Sequence, residues 1–148
     1  YPHDNKFLNF GFNFKYTDIQ ASFGLSQLKK FKLNMRKVFK IYSLYIKKLR
    51  ENDQFRIIKS RVKEGELPIY VEVLIKKNRN KFIKYMKRNN IYCRIFYNSL
   101  NEAPYLKVKE KFKNSKIFSR CGVYLPCGPD QKISDINKVI KIINLFKF

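Results

Sequence analysis

Gly11-Phe12-Asn13-Phe14-Lys15-Tyr16-Thr17-Asp18-Ile19-Gln20-Ala21-Ser22-Phe23-Gly24-Leu25-Ser26-Gln27-Leu28 holds the local signals that decide the architecture of this chain. Thr17 is a hydroxyl residue of the kind that caps helix N-termini, and Asp18 places an acid in the first turn, where the helix dipole favours it. Apolar residues then recur at three- and four-residue steps, first Ile19, Phe23, Leu28 and Phe31, then Val38, Ile41, Tyr42, Tyr45, Ile46 and Leu49. No proline interrupts residues 18–50. The spacing therefore predicts one helix over residues 17–50, about 50 Å long at about 1.5 Å per residue. That exceeds what a small domain requires and implies a helix joining two lobes, its lysines lying on a solvated face.

Beyond residue 50, Glu51-Asn52-Asp53 ends the pattern and Phe55-Arg56-Ile57-Ile58 predicts a short strand. Gly65 marks a turn, and Pro68 opens Ile69-Tyr70-Val71-Glu72-Val73-Leu74-Ile75, a β-branched strand. A helix is expected over residues 79–88, ended by Asn89-Asn90, since Asn adopts the left-handed conformation when Gly is absent. Residues 91–96 alternate as a second strand, residues 98–104 make a loop, and residues 106–118 predict a lysine-rich helix. Val123-Tyr124-Leu125-Pro126 is a short extended piece, and Ser134-Asp135 opens a last helix with Ile136, Val139, Ile140, Ile143 and Phe146 on its apolar side. Helices alternating with a few short strands give an α/β layer structure, a small sheet of three to four strands covered by helices over residues 51–148.

The bulk properties narrow the function. The chain has 148 residues, 45% of them hydrophobic and 16% aromatic, enough for a packed core. No apolar run approaches the ~20 residues of a bilayer-spanning helix, so no membrane segment is expected. Cys93, Cys121 and Cys127 form no closely spaced pair, which argues against a zinc site and for three partly buried free thiols in a reducing cytoplasm. The chain opens on Tyr1 rather than Met, as a fragment or a processed product would. The formal net charge of +22 ordinarily points to nucleic acid or an anionic surface. Here lysine outnumbers arginine, is scattered, and accompanies abundant Asn, Ile, Phe and Tyr, the set an AT-rich coding sequence yields without selection for binding. A basic, non-catalytic module for nucleic acid or an anionic surface stands as the alternative reading.

Two clusters carry chemistry. In residues 7–16, Gly11 frees the backbone for an unusual turn, so that Asn13 and Lys15 can present an amide donor and a cation to a phosphate; the competing reading is an apolar docking loop. In residues 91–105, a strand carrying Arg94, Phe96 and Tyr97 runs into a proline-containing loop with Asn101. Arginine grips diphosphates bidentately and aromatic faces pack on sugar rings or bases. The competing reading is a core strand whose Arg94 meets a surface carboxylate. The only histidine, His3, cannot build a Ser-His-Asp arrangement. Five glycines leave no phosphate-binding glycine loop.

Three stretches resemble, in order, the carboxyl-terminal part of the DegT/DnrJ/StrS family of sugar aminotransferases, which use pyridoxal phosphate (PLP). They are residues 11–28, similar to GYNYRMTDIQAALGLAQL; residues 90–105, similar to GI-x-TRPFFYPLHxxPYY; and residues 118–126, similar to S-x-x-G-L-x-LP. Arg94 with Phe96, and Ser119-Arg120 before Gly122, resemble the perosamine synthetase branch, which aminates a nucleotide-linked keto-sugar with glutamate as donor. The resemblance implies the small domain and interdomain helix of a fold type I enzyme, a homodimer serving surface polysaccharide synthesis. It implies that Asn13 reaches the PLP phosphate of the neighbouring subunit beside Lys15, and that Arg94, Phe96, Tyr97 and Asn101 approach the nucleotide-sugar. Lys15 replaces an arginine, Asn101 the histidine of PLH, Asn98 and Ser99 prolines, and Asn90 a glycine. The family's Schiff-base lysine precedes this segment, so the partner is a missing amino-terminal half or its equivalent, and the chain alone is expected to be inactive.

Overall fold

The computed structural model describes Gly11, residues 17–108 and residues 110–148. The sequence signal at Thr17 works as a reciprocal cap. The Gln20 N–H donates to Thr17 Oγ1 at 3.3 Å, and the Thr17 N–H donates to Gln20 Oε1 at 2.7 Å. From there α1 (Asp18–Lys48) runs as one uninterrupted helix. Four strands follow, β1 (Phe55–Ile58), β2 (Val71–Ile75), β3 (Arg94–Ile95) and β4 (Gly122–Leu125), with three helices between and after them, α2 (Arg79–Arg88), α3 (Lys113–Cys121) and α4 (Ile133–Leu145).

The strands form one antiparallel sheet in the order β1-β2-β4-β3. The short extended piece at residues 123–125 is thus an interior strand, with Val73 paired to Val123 and Val71 to Leu125 on one side and Ile95 to Val123 on the other. Successive side chains on a strand alternate between faces. Val71, Val73, Ile75, Val123 and Leu125 are buried on one face, in a core built with the second half of α1, α2 and α4. Burying each such side chain contributes about 1.5–3 kcal/mol, which fixes the register, because a one-residue slip would expose the whole set.

Polar ties lock the layer. The fully buried Tyr45 donates its hydroxyl to the Pro126 carbonyl at 2.9 Å, joining α1 to the end of β4. Asn144 of α4 accepts from the Arg50 N–H at 3.1 Å and donates to the Lys48 carbonyl at 2.9 Å, satisfying the end of α1. Phe82 packs edge-on against Phe146 at 5.3 Å between ring centroids.

Several boundaries differ from those the sequence predicts. The strand predicted over residues 91–96 pairs only over Arg94–Ile95, as β3, because Asn90 takes the left-handed conformation (φ 58°) and β4 offers few residues to pair with. The lysine-rich helix begins at Lys113, not residue 106: a 3-10 turn at Pro104–Leu106 ends in left-handed Lys107 (φ 49°), which interrupts helical winding. β2 starts at Val71, since the Ile69 N–H is used in a turn to the Leu67 carbonyl at 2.9 Å. Phe146 lies just past α4, at its C-cap. The three cysteines are free thiols, Cys127 buried and the other two half-buried. Burial pushes the Cys93 thiol up to about 12 and that of Cys127 up to about 11, so both stay protonated and unreactive near neutral pH. Among the described residues no helix is long and apolar enough to cross a membrane.

Candidate functional site

The face of the sheet turned away from the core gathers the chemistry. Register places Glu72 of β2 opposite Tyr124 of β4, and Tyr124 opposite Arg94 of β3. These three therefore stand in a row across three strands, the outer two about 10 Å apart at the spacing of neighbouring strands. Aromatic rings extend the row. Tyr70, just before β2, lies 4.8 Å from the Tyr124 ring, and Phe96 stacks on Tyr124 at 4.2 Å. Phe118 of α3 approaches Phe96 at 6.2 Å.

Of the residues predicted from sequence, the structure joins Arg94 to Tyr97. The guanidinium carbon lies 4.5 Å from the Tyr97 ring centroid, and the Arg94 side chain also donates to the Tyr97 hydroxyl. Arg94 therefore meets an aromatic ring where the competing reading expected a carboxylate. Both residues are exposed, leaving the remaining guanidinium N–H groups open to a ligand. Phe96 is buried, as a platform rather than a contact surface. Asn101 lies half-buried in the 3-10 turn Leu100–Glu102, with no direct tie to Arg94. Asn13 and Lys15 lie outside the described residues.

Gly122, Tyr124, Tyr70 and Glu72 complete the site, and sequence reasoning did not single them out as site residues. Gly122 is extended, so its role is spatial: a Cβ there would overlap the Phe96 ring and the Phe118 carbonyl oxygen. The missing side chain is what lets Phe96 lie flat over β4. For Glu72 and Tyr124 the available signal was alternation, each standing between buried apolar neighbours.

Electrostatics at this face are mixed. Burial, and secondarily Glu66, hold the Glu72 carboxyl above its ordinary range. Burial also raises the Tyr124 hydroxyl, helped by Glu72, Tyr70 and Tyr97 and opposed by Arg94. A cation, a carboxylate held partly towards its neutral form and several ring faces can together recognise an anionic group attached to a planar ring or sugar. Behind the face, Arg79 Nη1 donates to the Ser119 carbonyl at 2.6 Å, tying α2 to the end of α3.

Comparison with known proteins agrees with this architecture. The model of the DegT/DnrJ/EryC1/StrS aminotransferase family matches residues 1–144. An uncharacterized protein of Methanocaldococcus jannaschii is 30% identical over 149 residues, covering 90% of this chain and 38% of that protein. A UDP-4-amino-4,6-dideoxy-N-acetyl-beta-L-altrosamine transaminase of Campylobacter jejuni is 22% identical, covering 89% of this chain and 37% of the relative. The crystal structure of the sugar aminotransferase CalS13 from Micromonospora echinospora superposes with a TM-score of 0.77 at 16% identity, covering 90% of this chain and 36% of that one, a likeness of fold. The chain thus spans little more than a third of the length of the relatives it matches. It belongs to the DegT/DnrJ/EryC1/StrS aminotransferase family.

Proposed function

We propose that this chain forms the small-domain part of a PLP-dependent nucleotide-sugar aminotransferase, and that the outward face of its sheet receives the nucleotide-linked sugar. The observation that carries the site is the Glu72–Tyr124–Arg94 row with Tyr97 beneath the guanidinium. Aminotransferases of this family depend on PLP. When bound, the cofactor supplies the electron sink for moving an amino group from a donor, glutamate in our reading, to a keto-sugar. The described residues do not fit the cofactor ring. Each described lysine is exposed, whereas a Schiff-base lysine needs enclosed surroundings that tune its basicity. The ring therefore belongs to a second lobe, and no chemical step is assigned to this chain.

The work left for these residues is binding and orientation. Tyr97 holds the guanidinium plane by cation–π contact, and the free edge of Arg94 donates to diphosphate oxygens in pairs. Phe96, pinned between Gly122 and Tyr124, braces the same face of the sheet, and Asn101, in the turn Leu100–Glu102 that follows, is the further amide this reading assigns to the sugar. Asn13 and Lys15 would contact the cofactor phosphate of a neighbouring subunit in a cytoplasmic homodimer whose product feeds the synthesis of a surface polysaccharide.

The test is made on the chain assembled with its completing lobe. Arg94→Ala removes charge-assisted hydrogen bonds worth about 1.5–3 kcal/mol, so calorimetry should show nucleotide-sugar affinity falling roughly 10- to 150-fold. The visible absorbance of bound PLP should stay unchanged. Unaltered sugar affinity in the variant would remove this face from the substrate site.

A further inference from the structure

The corner where the end of α1 meets α4 gathers positive charge on the core side of the sheet, across the layer from Arg94. A cleft of about 510 Å³ opens there, within the size range of small-molecule sites. Lys48, Arg50 and Lys141 line it, and no carboxylate does. The chain carries 33 lysines and arginines against 11 acids, so exposed cations alone mean little. What sets these three apart is a concavity whose polar groups are already arranged. Asn144 accepts from the Arg50 N–H at 3.1 Å and donates to the Lys48 carbonyl at 2.9 Å. That fixes the chain as it leaves α1 and leaves the cations unneeded at the helix end. Lys48 Nζ donates to Asn137 Oδ1 at 2.8 Å, which holds the ammonium at the cleft.

The donors at this corner lack an internal anion. Among the described residues the Asn137 amide nitrogen has no acceptor, and the Arg50 and Lys141 side chains make no ion pair. Glu51, the acid next in sequence, is turned to β1: its Oε1 accepts from the Ile57 N–H at 2.9 Å and its Oε2 lies 3.8 Å from Lys59 Nζ. The apolar lining is the buried Ile140 and Leu145, the latter 65% exposed. Guanidinium and ammonium groups donate charge-assisted hydrogen bonds to phosphate oxygens, and an exposed leucine beside them gives an organic group a surface to cover. We infer that the α1–α4 corner is a binding site for a small phosphate ester, its phosphoryl group held by Lys48, Arg50 and Lys141 and its organic part packed on Leu145. The site uses no residue of the outward sheet face, so it holds whether or not a nucleotide-sugar binds there.

The test is calorimetric titration of the chain with adenosine monophosphate and, in parallel, with inorganic phosphate. The nucleotide should bind saturably and more tightly than inorganic phosphate. At about a hundredfold excess over its Kd it should raise the thermal midpoint by roughly 5–10 °C. Arg50→Gln and Lys141→Gln should each weaken binding about tenfold, since each removes a charge-assisted contact. Lys81→Gln on α2 lowers the net charge equally and should leave affinity unchanged, as should Arg94→Ala. Leu145→Ser should bring the nucleotide's affinity down towards that of inorganic phosphate. Arg50, Lys141 and Leu145 are exposed, so circular dichroism should show these variants as helical as the parent. No saturable binding of the nucleotide overturns the inference, and so does inorganic phosphate binding equally well. Equal weakening by Lys81→Gln would mean diffuse attraction to a basic surface, as nucleic acid would feel, and overturns it too. Binding that Arg94→Ala abolishes and Arg50→Gln spares would put the phosphate on the outward sheet face, sinking the corner site while leaving the substrate reading intact.

Discussion

On β2, Val71, Val73 and Ile75 are buried against helices, while Glu72 between them is half-buried on the opposite face beside Tyr124. The same contrast recurs on β4, where Val123 and Leu125 point into the core and Tyr124 out of it. One face of the sheet is filled by interlocking aliphatic and aromatic side chains from three helices. The other is lined by groups able to meet a ligand, Arg94, Tyr97, Tyr70 and Glu72, and is braced by Phe96. Stability and recognition are thus divided between faces of the same strands, and substitutions on the two should be felt in different measurements.

The largest difference should come from the packed face. Phe82 is fully buried and touches Phe146 and Phe148 through its ring. Phe82→Ala leaves a cavity and should cost about 3–5 kcal/mol, read as a lowered denaturation midpoint in urea. Arg94→Ala on the open face should leave that midpoint within about 0.5 kcal/mol of the parent. Equal losses from the two would erase the division between faces.

Gly122→Ala tests the point where the faces meet. The added methyl has no room between the Phe96 ring and the Phe118 carbonyl, so overpacking should cost about 1–3 kcal/mol. Displacing Phe96 also disturbs its stack on Tyr124, so under the proposed function the affinity of the assembled enzyme for its nucleotide-sugar should fall in parallel. Phe96→Leu in the same chain should recover part of the stability, since it relieves one of the two clashes. Strict additivity of the two substitutions would show that Phe96 does not rest on Gly122.

How much of this was legible in the sequence follows the range of the forces involved. The Thr17 cap, the span of α1 and the end of α2 at Asn89-Asn90 are set by residues within a few positions of one another, and each appears where predicted. β4 was visible only as an extended scrap, because its interior place depends on pairing with β2 about 50 residues earlier. The open face was half legible. Arg94, Phe96 and Tyr97 are adjacent in sequence, but Tyr70, Glu72 and Tyr124 join them only through strand register. The late start of α3 was missed because Lys107, an ordinary helix former, is held in the left-handed region after the Pro104 turn.

The smallest expected effect concerns Glu72 and changes sign with neither face's packing. Its folded carboxyl is held above the ordinary range, first by burial and then by Glu66, so the folded state binds more protons than the unfolded state in the acidic window. Stability from this group is therefore lost as pH rises through that window, because ionisation is easier in the unfolded chain. Glu72→Gln keeps the shape and removes the charge. Relative to the parent, it should raise the thermal midpoint slightly at neutral pH, by no more than about 0.5 kcal/mol of stability. The gap should close as pH is lowered to about 4, where the parent carboxyl is protonated as well. A midpoint difference that stays flat with pH would mean that Glu72 is as well solvated as a surface acid. The open face would then be wetter than its flanking rings imply, and less suited to holding a sugar ring against Tyr124.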